Sequence, residues 1–554
     1  MKKIRTTIVL ALLSITAFAQ VPAWQWANSA GGNVSDESVS IAKDASGNVF
    51  ICGKFYSPSI TFGTFTLTNL DNSGTTADVF LVKYNSAGSV LWAKSAGGTQ
   101  DDIANSVATD TSGNVFISGY FQSSSIVFGI TTLTNASTTF DLFLVKYDGS
   151  GTVLWAKREG GTGNEVVNSV ATDATGNAYI TGYFSSLLFS IGTTTLSNSG
   201  SEDVFVAKYD VSGIAIWAKS ASGFSLDMAN SVTIDVSGNV YISGYFMSAT
   251  LTFGTTTLTN GGNNTTDIFT AKYSSGGTFA WAKRAGGTFN DIAYSVVTDV
   301  SGNVFIAGYF QSNSLVFGSA TLTNAGGSDI LLLKYSSSGT PLTAIGQGGT
   351  GYEGANSVSL DASGNIYLAG YHSANFVVGS TTLTGAGGND GFLIKYDAAI
   401  LPLWATSVGY DLNDFATAVT VDASGDIYLT GYFQSYHIYF DAFLLPNTAT
   451  SGGSSDLFLS KMNSPSVKIS EINKQQSVFV IYPNPFTFQT TIYFTAEQNN
   501  TTIKITDPLG KEIKIINFSG RQLTIEKGEM DAGIYFLQTT DEKKNIASKK
   551  IIIQ

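Results

Sequence analysis

Apolar and polar positions alternate with a period of two along most of this chain, in short runs closed by Gly, Ser, Asn and Asp. Residues 240–246, Val-Tyr-Ile-Ser-Gly-Tyr-Phe, show the pattern best: β-branched and aromatic residues alternating with small ones predict a strand. The residues before them, Asp235-Val-Ser-Gly-Asn239, predict a tight turn. There the Asp carboxylate can accept a backbone N–H two residues on, and Gly supplies positive φ. Near copies begin at Asp44, Asp110, Asp173, Asp235, Asp299, Asp361 and Asp422, 61 to 66 residues apart. A fixed period of that size signals a repeat architecture.

Each unit continues with a variable stretch that predicts an extra short hairpin, as at 251–260. A second hairpin follows, whose first strand reads Asp-x-Phe-x-x-Lys-Tyr (Asp78 to Tyr84, Asp267 to Tyr273) and whose second carries Trp92, Trp155, Trp217, Trp281 or Trp404. Four residues beyond the second position of a Gly-Gly or its equivalent stands an acid: Asp36, Asp102, Glu165, Asp227, Asp291, Glu353 and Asp414. Four strands per unit, repeated seven times, predict an all-β chain built as a seven-bladed β-propeller. The ends of the array argue for closure. Trp26 opens a Trp-strand with no partner before it, and Asp456 to Met462 lacks the Trp-strand that should follow. Pairing the two completes the last blade and removes two exposed sheet edges.

The pattern changes at both ends. Lys2, Lys3 and Arg5 precede an apolar run, Ile8 to Leu13, and Ala17-Phe-Ala19 follows as a small-x-small cleavage site, so residues 1–19 read as a secretory signal peptide. The run is far short of the roughly 20 residues a membrane span needs. Residues 20–463 form the propeller, and 464–477 read as a polar linker. Residues 478–554 are expected to be a small β-sandwich of short alternating strands. The propeller carries 15 basic and 32 acidic side chains, a net charge of −17. Such a surface repels phosphate backbones, so nucleic acid is not an expected partner. The one cysteine, Cys52, occupies a slot filled elsewhere by Ser, Thr or Ala and reads as a small buried side chain.

The repeat, Asp-x-Phe-x-x-Lys, Gly-x-x-x-Trp, Gly-Gly-x-x-x-Asp and Asp-x-x-Gly-Asn-x-Tyr-x-x-Gly, is carried almost whole by Asp267 to Gly308, and it resembles the SBBP family of bacterial β-propeller repeats. The sixth unit, with Leu342-Thr-Ala344 for Leu-Trp-Ala, departs most and is expected to pack more loosely. The tail resembles the type A C-terminal sorting domain of the type IX secretion system of Bacteroidota, an Ig-like sandwich. The motif lies in Tyr482, Pro483, Asn484, Pro485 and Phe486, with Gly510, Lys511, Gly533, Ile534 and Tyr535. That resemblance implies passage across the outer membrane, removal of the tail by a surface sortase, and release or attachment to surface lipopolysaccharide.

Residues shared by all seven units are best explained by the blade itself. The turn aspartates, the acids after Gly-Gly and the strand lysines (Lys83, Lys146, Lys208, Lys272, Lys334, Lys395 and Lys461) are therefore expected to make inter-strand or inter-blade contacts. A Ca²⁺ site at the turns has one carboxylate where such sites gather several, so no cofactor is assigned. Function is expected where units differ. Lys54 replaces Tyr, His372 replaces Phe, Arg158 and Glu159 interrupt the Trp-Ala-Lys-Ser pattern, and the seventh unit carries Tyr436, His437, Tyr439 and Phe440 in its variable stretch. That aromatic cluster either stacks on a sugar ring or is buried against the neighbouring blade. The propeller has two arginines, Arg158 and Arg284, and two histidines, too few for a carboxylate-binding Arg triad or a His-rich metal site. The expected role is a non-catalytic binding or structural module, exported to the cell surface or medium, with polysaccharide or another surface protein as partner. The alternative is a secreted carbohydrate-active enzyme with its site on the propeller face.

Overall fold

The computed structural model describes residues 21–135, 137–449, 453–463, 479–507, 511–541 and 546–554. The leader at 1–19, the linker at 464–477 and Gly510 of the sorting motif lie outside the described residues. The chain divides into two compact units, residues 1–464 and 465–554. Among the described residues every regular element is a strand.

The first unit contains seven four-stranded antiparallel sheets and seven two-stranded hairpins. Blade 1 shows the plan: Asp36–Lys43 is innermost, followed by Val49–Phe55, Asp78–Tyr84 and the outer strand Val90–Ala96. The hairpin Ser59–Phe62 and Phe65–Thr68 lies between the second and third strands, as the variable stretch predicts. Each sheet is apolar on both faces, so its core forms between neighbouring blades. Phe50, Leu81 and Trp92 of blade 1 pack against Ile117, Phe121 and Phe143 of blade 2. Burying such side chains stabilises by roughly 1.5–3 kcal/mol each.

Local sequence explains the turns. In blade 1, Asp44 Oδ1 accepts the Ser46 and Asn48 amides, both at 2.9 Å, and Gly47 sits at φ +79°. These turns, with the hairpins joining third and outer strands, make one face of the ring, the turn face. The other face carries the loops between blades and the short hairpins, and is called here the insert face.

The ring closes as the unmatched ends require. Trp24–Ala30 pairs antiparallel with Asp456–Met462, with Ser29 opposite Phe458 and Ala30 opposite Leu457. Blade 7 thus consists of Asp414–Val421, Ile427–Phe433, Asp456–Met462 and Trp24–Ala30. The Asp36 amide donates to Ser455 O at 2.7 Å, repeating across the seam the bond from Asp102 to Ala77 O at 2.8 Å. The Leu342 strand, Pro341–Gln347, forms the outer strand of the fifth blade rather than the sixth, and its first three residues are exposed.

The second unit is a five-stranded sheet with a single core. Two of its strands, Gln489–Thr506 and Glu512–Glu526, are longer than the short strands expected. Pairing between them is irregular from Tyr493 to Thr501. The inward positions change parity there, from Thr490, Ile492 and Phe494 to Thr501, Ile503 and Ile505, so both halves feed the same core.

Candidate functional site

The recurrent charged residues meet at the blade junctions. Every inner acid is buried, from Asp36 round to Asp414. Asp102 is typical: Oδ1 accepts the Gln122 and Ser123 amides at 3.1 and 3.2 Å, and Oδ2 accepts the Ser123 hydroxyl at 2.7 Å. Burial pushes the Asp102 carboxyl up to about 7; the Ser123 bonds pull it back, and the charge of Asp78, on the preceding blade, adds to the rise. Burial likewise takes Asp78 to about 6. Oδ1 of Asp329, Asp390 and Asp456 is buried with no hydrogen-bond donor. A protonated carboxyl there avoids an orphaned buried charge. A Cβ on Gly97 would fall 1.9 Å from Asp78 Oδ1, which accounts for the glycine at that place.

The strand lysines lie over the aromatic residue of the second strand in all seven blades, for example Lys146 at 4.8 Å from the Phe116 ring centre. Lys146 also stands 3.3 Å from the turn carboxylate of Asp110. The turn aspartates are occupied by their own loops: Asp44 Oδ2 accepts Asn48 Nδ2 at 2.7 Å. Cys52 is buried among apolar groups, which push its thiol up.

Three of the departures from the repeat point inward. His372 is fully buried, with Nδ1 at 3.0 Å from Ala374 O and Nε2 at 3.0 Å from Ser407 Oγ. Burial holds its pKa below the usual range. Arg158 reaches the buried Asp141 carboxylate at 2.5 Å and serves a blade junction. Phe440 is fully buried and packs edge-on to Trp24 at 4.7 Å. His372 and Phe440 are core residues, because each occupies a position that is buried in the other blades too, and Arg158 is a half-buried junction residue drawn in by the Asp141 carboxylate.

Tyr436, His437 and Tyr439 stay at the surface. Tyr410, which the sequence reading did not single out, joins them, with its ring 4.8 Å from His437 and 6.5 Å from Tyr439. Tyr410 belongs to the loop before an innermost strand. The same loops of the three preceding blades carry Phe224, Phe289 and Tyr352, which are 86%, 48% and 58% exposed. On the insert face of blades 4 to 7 each of these loops therefore carries one solvent-facing aromatic ring, and the ring of Tyr410 is joined by His437 and Tyr439. Large apolar rings held in water mark an interaction surface, and the face of a ring is what a sugar's C–H groups stack on.

A second concave feature opens at the centre of the ring. The cavity, about 440 Å³, is lined from all seven innermost strands by Val39, Asn105, Asn168, Asn230, Tyr294, Asn356 and Thr417. Each is the extra residue of a β-bulge, opposite which pairing skips, as between Ala104 and Ser106. A bulge re-aims a side chain, here into the channel. The Asn amides also tie blades together: Asn105 Nδ2 donates to Val167 O at 2.9 Å and Asn168 Nδ2 to Ala229 O at 3.0 Å. Sequence reasoning missed these residues, although the recurrent Asn-Ser-Val three residues after the inner acid was the available signal.

In the second unit, the motif residues clasp the final strand. Asn484 Nδ2 donates to Lys550 O at 2.8 Å, and the Ile552 amide donates to Asn484 Oδ1 at 2.7 Å. Phe486 is buried, while Tyr482, Pro483 and Pro485 are exposed. Tyr535 is buried and donates to Asp531 O at 3.1 Å, beside half-buried Gly533 and exposed Ile534. The Lys511 amide donates to Asp507 Oδ1 at 2.9 Å.

Residues 480–554 match the model of the family described as secretion system C-terminal sorting domain. The chain carries a type IX sorting tail, which implies engagement with that secretion machinery and secretion to the cell surface. Over 460 residues it is 23% identical to an uncharacterized WD repeat-containing protein of Acanthamoeba polyphaga mimivirus, covering 66% of this chain and 33% of that protein. Over 375 residues it is 25% identical to the regulatory protein FlaEY of Caulobacter vibrioides, covering 63% and 38%. The chain thus spans about a third of the length of the curated relatives it matches. Among solved structures it is similar to PorZ, a surface component of the type IX secretion system of Porphyromonas gingivalis, at 11% identity. That alignment covers 95% of this chain and all of PorZ, with a TM-score of 0.22. The Pan2 WD40 domain of Neurospora crassa aligns at 11% identity over 65% of this chain and 89% of that one, with a TM-score of 0.31. At such scores these likenesses carry no argument, and the fold rests on the strand pairing described above.

Proposed function

We propose that this protein is a secreted propeller of SBBP-type repeats that acts as a non-catalytic binding module, holding polysaccharide on its insert face. The observation that carries this reading is the set of exposed aromatic rings of Phe224, Phe289, Tyr352 and Tyr410, the last joined by His437 and Tyr439. Stacking platforms bind neutral rings without needing charge, and the propeller's net negative charge leaves neutral glycan as the better match. The inner acid of every blade is buried and engaged at a junction, and the turn aspartates are engaged by their own loops, which supports binding over acid–base hydrolysis. After export through the periplasm behind the residue 1–19 leader, the tail engages the type IX machinery and is removed by a surface sortase.

A glycan array probed with the purified protein, run beside a hydrolase screen on the same glycans, tests this. Capture without turnover, weakened at least tenfold by Tyr410→Ala, is the expected result. Turnover of any glycan would establish the enzyme reading instead, and capture of surface protein alone would replace the polysaccharide.

A further inference from the structure

The seven bulge positions at the channel are where the repeat breaks its own rule. Blades 2, 3, 4 and 6 present Asn105, Asn168, Asn230 and Asn356, while blade 5 presents Tyr294, blade 7 Thr417 and blade 1 Val39. The amide of each Asn uses an Nδ2 proton on the next blade. That bond orients the side chain and leaves its carbonyl oxygen as an acceptor at the channel. Opposite Asn105, Asn168 and Asn230, blades 5 to 7 build an aromatic wall. Tyr371 meets Phe415 edge-on at 5.3 Å, and Phe415 lies 5.2 Å from Tyr432. Gly354 permits this wall, since a Cβ there would fall 2.9 Å from the Tyr371 hydroxyl.

Charge is absent from the lining. Lys54, which replaces the Tyr found at this strand position elsewhere, is neutralised by Glu37 at 3.1 Å. Burial raises the Tyr371 hydroxyl to about 12, so it stays a neutral donor. The cavity is thus an uncharged slot with oriented amides on one side and apolar ring faces on the other. Its volume lies within the roughly 300–1,000 Å³ range of small-molecule sites. Inner strands begin at the insert face, so Phe415 and Tyr432, near that end, put the aromatic wall on the side of the exposed rings.

We propose that the central channel binds a neutral pyranose, the terminal residue of a glycan chain, stacked on Phe415 and hydrogen-bonded by the Asn105, Asn168 and Asn230 amides. The proposal rests on the reading of the insert face as a glycan surface and deepens it by giving the chain end a seat. Vicinal hydroxyls pair naturally with an amide, which donates and accepts side by side. A charged sugar would lose hydration in a slot that offers no counter-charge.

The test is calorimetry of the full chain with three neutral trisaccharides, mannotriose, cellotriose and laminaritriose, and with trigalacturonate as the charged probe. At least one neutral trisaccharide is expected to bind and trigalacturonate is not. Val39→Trp fills the channel from blade 1 without touching an inter-blade bond, and should weaken binding at least tenfold. Val236→Ala, on the turn face, should leave it unchanged. Should Val39→Trp fail to fold, Phe415→Leu replaces it, with a several-fold loss expected. Unaltered affinity in the channel variant, binding of trigalacturonate alone, or loss in Tyr439→Ala but not in Val39→Trp would each overturn the channel assignment. Polymer capture on the array with no trisaccharide binding would overturn the channel alone, whereas silence in both assays would overturn the glycan reading with it.

Discussion

Blade 7 and the six blades before it are built to one plan from different connectivity, and the comparison shows what a covalent turn contributes to this ring. In blades 1 to 4 the outer-strand Trp donates its indole N–H to the third-to-outer turn of the following blade, as Trp92 does to Gly149 O at 3.3 Å and Trp217 to Ser275 O at 3.2 Å. Trp404 of blade 6 faces blade 7, whose third and outer strands are the last and first strands of the ring and so share no such turn, and its buried Nε1 has no partner. The serine after the bulge shows the same break. Ser40 Oγ accepts the Val107 amide at 3.2 Å and Ser357 Oγ the Val419 amide at 3.2 Å, but blade 7 has Ala418 there. The seam recovers part of this elsewhere. Thr430 Oγ1 donates to Ser38 Oγ at 2.8 Å, Thr417 Oγ1 to Ser38 O at 2.8 Å, and Asp426 replaces the usual Asn to meet Lys461 at 2.8 Å.

The largest effect should come from removing the closing strand. Deleting residues 21–30 uncovers Phe440 and Phe458 and leaves Asp456–Met462 as an open edge. Loss of Trp24 alone should cost about 3–5 kcal/mol, and calorimetry should show a lowered unfolding temperature of the propeller or association into oligomers. A truncated chain that melts like the full one would mean that closure contributes little.

Next is pH. Asp36, whose partner Asp456 lies across the seam, is raised to about 7, as are Asp102 and Asp227 within the continuous blades. Their folded pKa values exceed the unfolded value near 3.9, so between pH 4 and 7 the folded state holds more protons. Stability from these groups is fully present below about pH 4 and is lost as pH rises through 7. Each tenfold change in proton affinity is worth about 1.4 kcal/mol. Urea midpoints should therefore fall from pH 5 to pH 8, and Asp36→Asn and Asp102→Asn should flatten the slope equally. Asp173 works in the opposite sense. Burial raises it, but bonds from Thr175, Asn177 and Tyr179 outweigh that and hold it at about 2, so its contribution disappears only in acid.

Smaller effects discriminate more finely. Trp217→Phe should cost about 1 kcal/mol for the lost indole bond, whereas Trp404→Phe should be neutral or stabilising because there is no bond to lose. Equal melting shifts in the two variants would remove the distinction between seam and continuous blades. Lys461→Met should cost about 1 kcal/mol, and more than Lys146→Met, since its carboxylate partner is nearer. Ala418→Ser should give the smallest change, a gain of about 0.5 kcal/mol if the new hydroxyl accepts the Ile41 amide, read as a rise in denaturation midpoint.

How much was legible follows the same division. Strand positions, the short hairpins, the partner of the Trp26 strand and the presence of a sorting domain could all be read from spacing and residue type, because they depend on neighbours in sequence or on an unmatched end. The site could be read only in part. Tyr436, His437 and Tyr439 stand out as departures from the repeat and lie at the surface, but His372, Arg158 and Phe440 stand out equally and turn inward. Departure from a repeat marks a position as special without saying which way it faces. Tyr410 went unnoticed because it stands in a loop, where no alternation shows which side faces water, and the channel asparagines because a bulge shifts alternation by one residue and its direction is set by the partner strand.

Residue order was enough to settle that this chain repeats, that its regular elements are strands, that the two ends of the repeat array complete one sheet, and that a sorting tail follows. Those properties rest on local turn chemistry and on the count of strands. Which acids share a junction, which rings reach water and which amides line the channel were settled only when seven blades were brought round one axis. Residues some sixty positions apart become neighbours there, and no local signal encodes that contact.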